Sequence, residues 1–311
     1  MFFLYVAILL LFLLVFIGGY TFVYACVRRK ELPWLIEEDI KKTAYGKYYK
    51  HIMFSHNWLV AHHSQDVYTT SNDGLKLHAN WIPAENPRGT VLFAHGYRST
   101  YLVDFGLAME YYHNRGLNLL IPDQRAHGKS EGRYITFGVK ESDDMLQWVQ
   151  FHNERLSQCP IMLSGMSMGA STMLFLADQD LPDNVKGIIA DCGFTSPYEI
   201  LSAIFRKVTH IPGTIFLFVT DLWARIFARF GLKEKDTRRV LKNSKCPVMI
   251  VHGTDDHFVP CEMSKQGYEK CAEPKKLLLV EGADHGLSFI VDRETYEKAI
   301  VEFFERCGIK I

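Results

Sequence analysis

The stretch IMLSGMSMGASTMLF, residues 161–175, opens on an apolar run, tightens to two glycines around Ser167, and continues at helical spacing. Its pentapeptide Gly165-Met166-Ser167-Met168-Gly169 fits G-x-S-x-G, in which a serine stands on a sharp strand-to-helix turn with its hydroxyl exposed. Such a pattern arises by chance in roughly one chain in ten of this length. A serine hydroxyl is also inert at its own pKa and needs a positioned base. The rest of the chain therefore has to supply the base, the acid, the oxyanion donors and the scaffold.

Outward from that stretch, short apolar runs alternate with amphipathic ones. GTVLFAHG, LNLLIPD, PIMLSG, VKGIIADCG, CPVMIVHG and KKLLLVEGAD read as strands, and helical patterns lie near 101–115, 139–155, 168–179, 261–271 and 292–307. Strands apolar along their whole length are covered on both faces, and their alternation with helices predicts a mostly parallel sheet between helical layers. Upstream, DVYTTSNDGLKLHANWIP (66–83) reads as a hairpin turning at Asn72-Asp73-Gly74. Between ADCGFTSP and CPVMIVHG the strand pattern lapses, and IPGTIFLFVTDLWARIFARFGL points to a small helical cap over about residues 195–243. Its Phe216, Phe218, Leu222, Trp223 and Phe227 suit helix packing or the partial lining of an apolar pocket.

Ligands of such sheets sit beyond the carboxyl ends of the strands, so the residues just after each strand matter most. His95-Gly96-Tyr97 follows GTVLFA. There the Tyr97 N–H, with the Met168 N–H that begins the helix after Ser167, would form an oxyanion hole fixed before charge develops. Asp256 and His285 follow the last two strands and give the chain order Ser…Asp…His, with Asp255 and Asp191 as rival acids at strand ends. The carboxylate would hold the imidazole in one tautomer, and the imidazole would take the serine proton. His95 has no second ligand at metal spacing and no CxxC occurs, so neither a metal nor another cofactor is expected.

HGYRST, DQRAHGKSEG, GMSMGA, HGTDDHFVP and ADHG together resemble the motifs of the α/β-hydrolase superfamily over roughly residues 65–311. The branch is that of dienelactone-hydrolase-like and serine-aminopeptidase-like proteins, and the likeness extends to bacterial members with one N-terminal membrane anchor. The resemblance implies an α/β-hydrolase fold and makes Asp256, in D-x-x-V-P, the triad acid. Where the family usually has glycine in its D-x-x-x-H-G segment, this chain has Ala126. That segment shapes a loop beside the site, so the departure touches no catalytic role.

The 311 residues carry 35 basic and 35 acidic side chains, and this balance offers no electrostatic footprint for nucleic acid. Residues 1–27 hold no charged side chain, and Arg28-Arg29-Lys30 follows at once. The run exceeds the ~20 residues that cross a bilayer core. It lacks the basic start of a cleaved signal, despite a weak cleavage pattern at Val23-Tyr24-Ala25. It reads as a transmembrane anchor, and the positive-inside rule puts the rest in the cytoplasm. Residues 28–64 then read as a juxtamembrane connector with Trp34, Tyr45, Tyr48 and Tyr49, or as an ordinary helix packed on the domain. The seven cysteines are odd in number and suggest no disulfide framework.

The expected function is a membrane-anchored serine hydrolase that cleaves a carboxylic ester, small or lipid-like, through an acyl-enzyme on Ser167, Asp256 and His285. A peptidase or amidase, a thioesterase or an acyltransferase would use the same triad. A catalytically silent, membrane-tethered binding module is the alternative outside enzymes.

Overall fold

The computed structural model describes residues 1–29, 41, 46–62, 64–210 and 213–311. Eight strands form its sheet: β1 (Gln65–Thr70), β2 (Lys76–Ile82), β3 (Gly89–Ala94), β4 (Leu117–Pro122), β5 (Ile161–Met166), β6 (Val185–Asp191), β7 (Val248–Gly253) and β8 (Lys275–Val280). The α-helices before β6 are α1 (Phe2–Cys26), α2 (Tyr49–Ala61), α3 (Tyr101–His113), α4 (Val139–Phe151) and α5 (Met168–Leu174). After β6 come α6 (Pro197–Thr209), α7 (Thr214–Trp223), α8 (Thr237–Leu241), α9 (Cys261–Lys270), α10 (Ser288–Val291) and α11 (Arg293–Arg306).

The strand order is β1-β2-β4-β3-β5-β6-β7-β8. β1 and β2 are the expected hairpin, β2 pairs antiparallel with β4, and the remaining pairs are parallel. The hairpin turn is closed by Ser71, whose hydroxyl donates to Asp73 at 2.7 Å and accepts the Leu75 N–H at 2.8 Å. β3, β4, β5 and β7 are buried at every position. One face of the sheet packs on α4, α5 and α8 through Trp148, Met173 and Leu241, and the other on α3 and α11 through Met109, Tyr112, Phe303 and Phe304. The helix expected over 168–179 ends at Leu174 because the Leu176 and Ala177 N–H groups turn back to carbonyls three residues behind. In α6, Pro197 fills the first turn and the Ser196 hydroxyl accepts the Glu199 N–H at 3.2 Å.

The DQRAHG segment is tied down by a buried ion pair. The Arg125 guanidinium donates twice to Asp144 at 2.6 Å and reaches Asp73 in the hairpin turn at 3.0 and 3.1 Å. Ala126 carries φ +61°, a backbone that glycine adopts with less strain. Arg125→Gln leaves the buried Asp144 without its cation, and is expected to cost about 3–5 kcal/mol, read by denaturant unfolding in detergent.

Of the connector residues, Trp34 and Tyr45 lie outside the described residues. Within that stretch α2 packs on α3, with the Trp58 ring edge-on to His113 at 5.4 Å. α1 is long and apolar enough to cross a membrane, with mean hydropathy 2.8 over its most apolar window. Its last turns run parallel to α7. A Cβ on Gly18 would stand 2.5 Å from Val219 Cγ1 and one on Gly19 3.2 Å from the Trp223 ring, so the two glycines permit the close approach. Beyond the helix, Ile135 N–H donates to Cys26 O at 2.7 Å and Arg28 N–H to Arg133 O at 2.8 Å. The aromatic stripe between β6 and β7 divides. Phe216 stacks on Phe205 and Trp223 on Phe22, whereas Phe218, Leu222 and Phe227 are exposed.

Candidate active site

β5 delivers Ser167 at its carboxyl end, and α5 starts on the next residue. The turn between them is tight. A Cβ on Gly165 would run into the Gly169 carbonyl, and one on Gly169 into the Ala94 carbonyl of the neighbouring strand. Ser167 itself sits at φ +55°, ψ −116°, a conformation that costs a residue with a Cβ on the order of 1–3 kcal/mol and clusters at active sites. Its N–H is held by Asp191 O at 2.8 Å.

The loop after β7 brings Asp256 and the loop after β8 brings His285. Ser167 Oγ lies 2.9 Å from His285 Nε2, and His285 Nδ1 lies 2.7 Å from an Asp256 carboxylate oxygen. Asp256 Oδ1 accepts the N–H groups of Phe258 and Val259 at 2.8 Å each. Oδ2 faces His285 and, at 3.1 Å, Nε2 of His252. Burial opposes charge on this carboxyl, yet the hydrogen bonds from His252 and His285 hold it well below the usual carboxylate range. With Nδ1–H directed at Asp256, His285 Nε2 faces the Ser167 hydroxyl as the acceptor of its proton.

The rival acids lie elsewhere. Asp191 is buried and accepts from Ser288 Oγ and Tyr296 OH, each at 3.1 Å. Asp255 is exposed and takes the Thr254 hydroxyl at 3.0 Å. Asp284 accepts the N–H groups of His257 at 3.0 Å and His285 at 2.7 Å, which fixes the His285 turn. Cys192, Asp256 and His285 place ligand-type atoms within 4.8 Å of one another. Burial, however, pushes the Cys192 thiol well above its ordinary value, a poor state for a thiolate ligand.

The loop after β3 stands beside the serine, where a Cβ on Gly96 would lie 3.4 Å from Ser167 Cβ. Among the described residues, the N–H groups of Tyr97 and Met168 have no hydrogen-bond partner. Asp104 braces this loop by accepting Gly96 N–H and Ser99 Oγ, each at 2.6 Å. His95 is a scaffold residue, buried, with Nε2 accepting the Gln124 N–H at 3.1 Å. Burial, aided by the neighbouring His95, lowers His127 to about 3, so its Nε2 stays an acceptor for the Arg98 N–H at 3.1 Å.

Three contributors were not singled out from the sequence: His252, Asp104 and the end of α1. The Tyr97 hydroxyl donates to Ala25 O at 2.8 Å, and the Arg98 guanidinium donates to Tyr24 O at 2.6 Å and Val27 O at 3.1 Å. The available signal for His252 was its place as the penultimate residue of a buried strand, four before Asp256. Nothing in the apolar run of α1 advertises its carbonyls.

Residues 85–217 match the family model described as serine aminopeptidase, S33. YqkD of Bacillus subtilis, an uncharacterised protein, is 29% identical over 227 residues, or 72% of this chain and 73% of that one. Bem46 of Schizosaccharomyces pombe is 25% identical over 198 residues, covering 63% of this chain and 61% of its own. Among solved structures, the Pyrococcus furiosus esterase Pf2001 superposes with a TM-score of 0.64 at 25% identity, over 80% of this chain and 94% of that one. Ferulic-acid-bound Est1E of Butyrivibrio proteoclasticus shares the fold, with a TM-score of 0.59 at 20% identity over 78% and 100% of the two chains. The parallel sheet, its strand-end loops and these relatives define a hydrolase. The chain has the α/β-hydrolase fold and is similar to members of that superfamily.

Proposed function

We propose that the protein is a serine hydrolase that cleaves a carboxylic ester through an acyl-enzyme, with Ser167 as nucleophile, His285 as base and Asp256 as the carboxylate that orients it. The observation that carries this reading is the unbroken line Ser167 Oγ–His285 Nε2, His285 Nδ1–Asp256 at 2.9 and 2.7 Å, on a strained turn at the carboxyl edge of the sheet. In the forward step Ser167 Oγ attacks the ester carbonyl while its proton passes to His285 Nε2. The oxyanion is received by the N–H groups of Tyr97 and Met168, and His285 returns the proton to the departing alcohol. Water then repeats the sequence on the acyl-serine.

The test is covalent. A fluorophosphonate probe is expected to label the full-length protein at Ser167, located by peptide mass spectrometry, and labelling should vanish in Ser167→Ala. An adduct that persists in purified Ser167→Ala sinks the assignment. The rival acid supplies a second check. Asp191→Asn preserves the size of a carboxyl that burial already pushes up, and its amide oxygen keeps one of the two hydroxyl donors, Ser288 or Tyr296. It is expected to keep the probe-labelling rate within about threefold, because the Asp191 carboxyl makes its hydrogen bonds to Ser288 and Tyr296 and none to the imidazole.

The description of the matching family model favours one further reading, an amide substrate on the same three residues. Aminoacyl-nitroanilides assayed against nitrophenyl esters separate the two. As for location, α1 is proposed to anchor the protein in the membrane, and Arg28 and Arg29 directly after it favour the cytoplasmic side for the hydrolase domain. Digestion of the domain by protease added to intact, unpermeabilised cells would reverse that orientation.

A further inference from the structure

One helix outside the sheet is apolar on both of its faces. The inner face of α7, with Leu217, Val219 and Ala224 just beyond its end, is buried against α1 and the domain. The outward face carries Ile215, Phe218, Leu222 and, in the π turn that follows, Ile226, which are 64, 71, 49 and 60% exposed. Single exposed apolar side chains are common, but a continuous outward row at helical spacing on a helix with a buried inner face marks a surface with an occupant.

The register of α7 on α1 says what that occupant is. Residue 18 of α1 meets residues 219 and 220, and residue 22 meets 223 and 227, so α7 runs parallel to the last third of α1. The freely exposed part of α1, residues 2–16, is only ~22 Å long at 1.5 Å per residue, short of the ~30 Å hydrocarbon core. To reach about 28 Å the hydrocarbon has to extend to Tyr20. That carries the contact with Val219 below the membrane surface, and the first turns of α7 with it. The polar groups agree with this level. Tyr20 and Tyr24 are exposed on α1, Trp223 lies at the same height on α7, and Arg29 covers the Tyr24 ring at 4.3 Å. Such aromatic and cationic side chains belong to the headgroup layer. Asp221, the first acidic residue along α7, is paired with Arg225 at 2.8 Å and accepts the Leu232 N–H.

We propose that α7 is embedded in the acyl layer beside α1, about 9 Å deep along Thr214–Val219, so that the Ser167 site opens at the membrane and draws its ester from the lipid phase. The site lies close enough for this. Met168, Tyr97, Phe22 and Leu217 belong to one apolar cluster, and Ala25, which holds the Tyr97 hydroxyl, is five residues beyond Tyr20, or ~7.5 Å. The position of α7 does not depend on the serine-ester reading; the substrate class does.

The experiment places full-length protein in phosphatidylcholine vesicles whose acyl chains carry a diazirine, followed by illumination and mapping of the adducts. Adducts on α1 and on the outward face of α7 are expected. Adducts on α1 alone, none on either helix, or cross-linking of α7 to a second copy of the chain overturns the proposal. The second arm compares p-nitrophenyl palmitate dissolved in the vesicles with p-nitrophenyl acetate in water. Phe218→Asp, which puts a charge on the outward face, is expected to slow the palmitate about tenfold and the acetate less than about twofold. Equal losses on both esters overturn entry from the lipid. The mapping arm reads the depth of α7 even where neither ester is turned over, so failure of the ester reading is seen separately.

Discussion

Asp256→Asn is expected to lower kcat about 10⁴-fold with KM little changed, the loss that follows when the imidazole is held in the wrong tautomer. The surroundings of the residue dictate which way the asparagine amide turns. Two backbone N–H groups, from Phe258 and Val259, point at Oδ1, so the amide oxygen takes that position. The NH₂ group then occupies the place of Oδ2, between His285 and His252. There it donates to His285 Nδ1, the proton moves to Nε2, and the ring can no longer accept from Ser167. Steady-state kinetics on a soluble nitrophenyl ester measures the loss, and a kcat within tenfold of wild type would remove Asp256 from the triad.

The same carboxylate also has a signature in stability. Its folded pKa lies below its unfolded one. Its contribution is therefore complete above the ordinary value near 3.9 and is lost as pH falls toward the folded value. The stability gap between wild type and Asp256→Asn should narrow below about pH 4 and stay level above it.

Deletion of residues 1–27 is expected to lower kcat/KM on a short, water-soluble ester at least about 10²-fold, the scale of a misplaced oxyanion donor. A simple tether would leave such a rate untouched. Here the deletion removes the carbonyls that receive Tyr97 and Arg98, in the loop that presents the Tyr97 N–H. It also uncovers the inner face of α7, where burying Phe22 alone is worth about 1.5–3 kcal/mol. Gly18→Val, which drives a branched side chain into Val219, should move the rate in the same direction with α1 still attached. Full activity of the truncated protein on the soluble ester would show that α1 has no part in shaping the site.

The architecture was legible in the sequence because it rests on local signals. Alternating apolar runs, Asn72-Asp73-Gly74 in the hairpin and the glycines around Ser167 each answer to a steric demand at their own position. The residues of the candidate site could be proposed for a similar reason, since a parallel sheet puts every strand-end loop on one edge. What the sequence could not convey was partnership across long separations. His252 reads as a buried strand residue until its ring is seen against Asp256, and Asp104 as a helix-start acid until its oxygens are seen on the loop after β3. The stripe from Phe216 to Phe227 has helical spacing on every side, so periodicity could not tell the side chains that pack from those that face outward.

The contact between Gly18 and Thr220 joins residues 202 apart, and it bears on how the protein is made. During synthesis α1 emerges long before the chain that forms α7 exists. Contacts of such long range form late in folding. The hydrolase domain therefore completes itself against a helix already in place, and the loop carrying Tyr97 gains its partners on α1 only at that last docking. A chain still being synthesised lacks these contacts, so on the proposed function the loop that presents the Tyr97 N–H is finished last.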